Sequence, residues 1–98
     1  GQRDGKRKTM FAKIKQVQGA GDSVAIITTQ PIGIETMKFM AACGITISRL
    51  GISMGLDAAN AREVAEGVIR SGAYMLVLVS ADIADGLVST KKTTVEKL

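Results

Sequence analysis

Cys43 is the sole cysteine of this 98-residue sequence, and no histidine accompanies it. A thiolate is the form of cysteine that attacks sulfur or a carbonyl, and a base or nearby positive charge must favour it. Without histidine, Ser-His and Cys-His nucleophile schemes are excluded, as are histidine-containing zinc sites. One cysteine cannot build a thiolate cage or an internal disulfide. Cys43 ends an apolar helical pattern, where the helix dipole opposes a thiolate, so it reads as an inert buried cysteine. Asp82 and Asp85 are spaced like a helix-end pair. Acid–base work by such a pair needs burial, and they read as solvated. No catalytic residue, metal site or cofactor is expected.

Two loops are candidates for binding. Thr28-Thr29-Gln30-Pro31-Ile32-Gly33 ends a strand pattern and opens a helix pattern, so an anion could sit at the helix start beside Gln30 and Gly33. The stretch has no lysine and one glycine, and its plainer reading is a strand-to-helix turn. Gly51–Asp57 follows a second strand pattern and offers Ser53 and Asp57; its plainer reading is a loop packed under the next helix.

The elements that hold these loops follow from apolar spacing. Met10, Phe11, Ile14 and Val17 recur at three and four residues, which predicts a helix from Thr9 to about Gln18. Residues 1–8, GQRDGKRK, are polar and are expected to be a disordered basic end, with a single domain over 9–98. Ser23–Thr29 is apolar and β-branched, which predicts a buried strand. Ile34–Cys43 predicts a helix and Gly44–Ile52 a second strand. Asn60 with Glu63 predicts a capping box, and Gly72 a left-handed helix end. Residues 73–89 stay open: Tyr74–Val79 suits a buried strand, or a helix followed by a short strand at Leu87–Ser89. Strands alternating with helices predict an α/β fold, a small three-layer one with a mostly parallel sheet.

Charge bounds the partners. The net charge is +4, and Arg3, Lys6, Arg7, Lys8, Lys13 and Lys15 crowd the first fifteen residues against Asp4 alone. The middle of the chain is mildly acidic. Basic ends attract phosphate backbones in a salt-dependent way, so Arg3, Lys6, Arg7 and Lys8 are candidate nucleic-acid contacts. The plainer reading is a solvated end. No apolar run is long enough for a membrane span, and no positive-then-apolar leader opens the sequence. A reducing cytoplasm is the expected location.

The stretch Gly44–Leu76 resembles the core of the DsrE/TusD sulfur-relay family. Gly44-Ile45 with Ile47 is similar to the strand entry of that family. Ser53-Met54, Glu66-Gly67-Val68 and Ser71-Gly72 are similar to its later landmarks, with Leu76 in the helix after them. Phe11-Ala12, Asp22–Thr28, Ile34-Glu35 and Met37 are similar to its earlier elements, and Gly86–Ser89 to its last strand. The resemblance implies a helix over residues 73–82, a strand before residue 1, and a sulfur-carrying cysteine where this chain has Leu50. Leucine cannot attack sulfur, so the resemblance implies a cysteine-less, non-catalytic DsrE-like member. Such a member acts by assembly, as a homo-oligomer or beside a related cysteine-bearing subunit. It places Leu50, Ser53 and Asp57 in the pocket loop. Shorter stretches are similar to other families: residues 69–82 to kink-turn-binding ribosomal relatives, residues 28–42 to sugar-transport phosphotransfer domains, and residues 55–68 to Alba chromatin proteins. None brings its functional residues with it, and a small nucleic-acid-binding domain stands as the alternative function.

Overall fold

Val24–Ile27 has no polar side chain, and all four of its residues are buried. Such a run suits the centre of a parallel sheet, with helices covering both faces. In the computed structural model, which describes residues 2–98 and side chains from Gly5 onward, this segment is β1 and lies centrally. Leu50–Ser53 (β2) pairs with it on one side and Leu76–Val79 (β3) on the other. Thr94–Lys97 (β4) lies beyond β3. The order is β2-β1-β3-β4 and every pairing is parallel. Val24 stands opposite both Leu50 and Leu76, and Leu76 opposite Thr94.

Alternation along the strands sorts the core into two layers. Val24, Ile26, Leu76 and Leu78 face one side, where Gln2–Gly19 (α1) contributes Phe11 and Ile14 and Ile34–Ala42 (α2) contributes Met40. Ala25, Ile27, Val77 and Val79 face the other side, under Ala61, Ala65 and Ile69 of Ala58–Ser71 (α3). The two fully buried alanines of α3 let its backbone approach the sheet closely. The result is the expected three-layer α/β arrangement with a parallel sheet. Among the described residues no helix is long and apolar enough to cross a membrane.

Several boundaries differ from expectation. α1 starts at Gln2, so Lys6, Arg7 and Lys8 lie on a helix rather than in a disordered end. The helix-forming residues from Thr9 onward extend their hydrogen-bond ladder backward through Gly5, and the Thr9 hydroxyl donates to the Gly5 carbonyl at 2.9 Å. The segment expected as a strand from Gly44 contains a 3-10 turn over Ile47–Arg49, and β2 begins only at Leu50. α3 is capped by Asp57, not Asn60. The Asp57 carboxylate accepts the Asn60 N–H at 2.9 Å and the Asn60 side-chain amide at 2.8 Å. Asn60 thus stands three residues into the cap, where Glu63 was expected, but its amide donates to the cap side chain instead of accepting the cap N–H. Gly72 does close α3, with φ 67°.

Residues 73–82 form no α-helix. Leu76–Val79 is strand β3, as the apolar run allowed, and the helix implied by the sulfur-relay resemblance is absent there. The last strand is β4 at Thr94–Lys97, not Gly86–Ser89. Its sequence TVEK has one apolar residue, and main-chain pairing fixes it instead. Thr94 N–H donates to the Met75 carbonyl and Leu98 N–H to the Val79 carbonyl, each at 2.8 Å.

Candidate functional site

The chain leaves β1 toward α2 and β2, while β3 lies on the other flank of β1. Open parallel sheets bind ligands beyond the carboxyl ends of their strands where the order reverses in this way. Here that point holds Thr28, Thr29 and Gln30 after β1, and Ser80 and Asp82 after β3. Ser80 N–H extends the ladder to the Ile27 carbonyl at 3.1 Å. Thr29 N–H then donates to Ser80 Oγ at 3.2 Å, and Thr29 Oγ1 donates to Asp82 Oδ2 at 2.6 Å. These bonds tie the two loops across the crevice.

Asp82 is exposed, yet its carboxyl is held below the ordinary value of 3.8, first by the Thr29 hydroxyl and then by that of Ser80. A lowered pKa keeps it ionised at neutral pH. It is then a hydrogen-bond acceptor and not a general acid. Because the folded-state pKa is depressed, its contribution to stability is present above the unfolded value and is lost as pH falls through the folded one. Asp82→Asn is therefore expected to lower the urea midpoint at pH 7 and to match the parent at about pH 2. Equal midpoints at pH 7 would show that the bridge contributes nothing.

The expected site residues divide into groups. Gln30 is exposed beyond β1, and Gly33 is the N-cap of α2. Ser53 ends β2 beside them, and the Gly55 N–H reaches the Gln30 carbonyl at 3.4 Å. Gly33 has φ −72°, and a Cβ there would meet nothing within 4 Å, so the position imposes no need for glycine. Glu35 in the first turn of α2 opposes an anion at that end. Asp57 is occupied as the cap of α3. Leu50 opens β2, half-buried against the core. It lies three residues before Ser53, about 10 Å along a strand. The position matched to the family's cysteine is thus at the amino end of β2, away from the carboxyl-end loops. Cys43 caps α2 at its C-terminus and packs against the core.

Lys6 and Lys8 are exposed on α1 and Arg7 is half-buried. Arg3 has a side chain outside the described residues. Lys13 is held by Glu96 of β4 at 2.5 Å. Ser80 was not singled out from the sequence, and Thr29 only as part of the loop that holds Gln30. Their signal is a hydroxyl directly after each buried strand run, which is also the ordinary chemistry of a turn. A cavity of about 300 Å³ lies elsewhere, between α1 and the β3–β4 side of the sheet, over Met10, Leu78 and Leu98. Neither models of known protein families nor curated proteins match this chain.

Proposed function

We propose that this chain is a non-catalytic α/β assembly domain that associates through the open edge of β2. The observation that carries this reading is the contrast between its two sheet edges. Edge strands expose unpaired N–H and C=O groups and invite another strand, and proteins blunt them with charge, proline or bulges. β4 is blunted: its sequence TVEK carries Glu96 and Lys97, and Glu96 is tied to Lys13. β2, LGIS, has no charge and no proline, and all four residues are half-exposed. Met54 just beyond it is 41% exposed. The uncovered apolar strand is the surface that association would bury.

On the sulfur-relay reading, the chain supports a partner's thiolate and supplies none of its own. The landmarks from Gly44 to Gly72 favour that reading, and β3 in place of a helix and Leu50 at the amino end of β2 weigh against it. Both forms of the proposal predict self-association, or association with a related subunit. Light scattering at rising concentration is expected to show an oligomer, and Cys43→Ser is expected to leave it unchanged. A monomer at high concentration would overturn the reading for the chain alone.

A second reading has its own observation. Lys6, Lys8 and Lys15 are exposed along one helix, α1, and lysines strung along a helix can form a phosphate-binding footprint, although Lys13 between them is tied to Glu96. It predicts binding to a DNA or RNA oligonucleotide that falls steeply with salt and is lost without residues 1–8. No binding at low salt would end it.

A further inference from the structure

The main chain of β2 specifies its partner and register more closely than the assembly reading, on which this inference rests. Thr28 N–H donates to the Ser53 carbonyl at 2.9 Å, so Ser53 turns toward β1. Main-chain groups alternate in direction along a strand. Gly51 therefore also turns inward, while Leu50, Ile52 and, continuing the alternation, Met54 present their groups to the open side. One of these groups is already used: Leu50 N–H donates to the Ile47 carbonyl of the preceding 3-10 turn. The open edge thus offers the Leu50 carbonyl, both groups of Ile52 and both groups of Met54.

We propose that the occupant of this edge is the β2 strand of a second copy, antiparallel, with Ile52 opposite Ile52 of that copy on the two-fold axis. In this register Ile52 exchanges two main-chain hydrogen bonds with its counterpart. Each Leu50 carbonyl accepts from the other copy's Met54 N–H, giving four bonds in all. A two-fold at Gly51 instead sets Leu50 against Ile52 and leaves two, because the Leu50 N–H is committed. A two-fold at Ser53 also counts four, but two of them need the Met54 carbonyl, which lies beyond the end of β2 where the chain turns away at Gly55 with φ 68°. The side chains agree with the favoured register. Ile52 meets Ile52 and Leu50 meets Met54 on the face that α2 covers, while Gly51 meets Ser53 on the other. Arg49 comes opposite Gly55, two residues from the other copy's Asp57. Parallel, in-register pairing would put Arg49 beside Arg49. β4 is blunted, so a head-to-tail chain of β2 on β4 is disfavoured, and the association closes as a dimer. The product is one eight-stranded sheet with β2 at its centre.

The test is a disulfide trap in a Cys43→Ser background. Opposed residues of a hydrogen-bonded antiparallel pair have Cα atoms about 5.5 Å apart, within disulfide range. The two Leu50 residues, each opposite a Met54, lie four residues out of register, about 13 Å apart along the strands, and exceed it. Under mild oxidation most Ile52→Cys protein is expected to run as a covalent dimer, and Leu50→Cys protein as a monomer. Light scattering of both variants before oxidation separates the failures. A non-covalent oligomer in which Ile52→Cys does not link overturns this register and leaves the assembly reading standing. A monomer before oxidation overturns both.

Discussion

Ile52→Pro is expected to leave a folded protein that no longer self-associates. Proline has no N–H, and its ring fills the space where a neighbouring strand would pack. Within sheets it is tolerated on an edge strand when the missing N–H faces solvent. Ile52 meets that condition, because its main chain points away from β1 and the pairing of β2 with β1 uses Gly51 and Ser53. The substitution removes both bonds exchanged on the two-fold, each worth about 0.5–1.5 kcal/mol net. The loss of about 1–3 kcal/mol should weaken self-association by about fivefold to a hundredfold, since 1.4 kcal/mol is one decade. Ser53→Lys is the companion variant. A lysine on an edge strand is a common natural block to pairing, and Ser53 is half-exposed. Circular dichroism checks that each variant keeps its sheet, and light scattering reads the mass. Two folded variants that associate as the parent does would remove β2 as the interface.

Ile26→Ala is expected to give the largest loss of stability. Ile26 is 2% exposed at the centre of the central strand, with Leu78 of β3 and the side chains of α1 and α2 in the same core layer. Truncation there loses the transfer energy of the buried methyls and leaves a cavity, at a cost of about 2–5 kcal/mol. The whole stability of a domain this size is about 5–15 kcal/mol. Each kcal/mol moves the melting midpoint by about 4–8 °C, so a drop of at least about 8 °C is expected. Phe39→Ala is the contrast. Phe39 is larger yet 45% exposed, and it meets Phe11 with ring centroids 5.7 Å apart. Its loss should cost less than that of Ile26. The reverse order, read by thermal unfolding, would contradict the layer assignment.

One layer was legible in the sequence: VAII has no polar face to hide, and the apolar spacing of α1 marked its inward side. LVLV, equally apolar, stayed open between strand and helix, because so short a run carries no period. β4 was not legible, since an edge strand is specified by its neighbour's main chain and needs little apolar character. Residues 2–8 gave no helical signal because a polar, glycine-containing end carries no inward stripe, although its backbone continues the helix begun downstream. Asn60 looked like a cap because asparagine suits that position, but Asp57 three residues earlier suits it as well, and the chain turns there. At the candidate site, Gln30, Gly33 and Ser53 do gather at the carboxyl ends of the strands. Leu50 does not, because the turn over Ile47–Arg49 delays the start of β2. The bridge from Thr29 to Ser80 and Asp82 joins residues about fifty positions apart, and no local pattern announces such a contact.

The state of the β2 edge can be read directly from the Ile52 amide. Its exchange with solvent deuterium should be measured across a dilution series, with the Ile26 amide of β1 as the internal reference. The assembly account predicts that Ile52 is protected in concentrated protein and becomes fast on dilution, while Ile26 stays protected throughout. An Ile52 amide that exchanges equally fast at every concentration would contradict it.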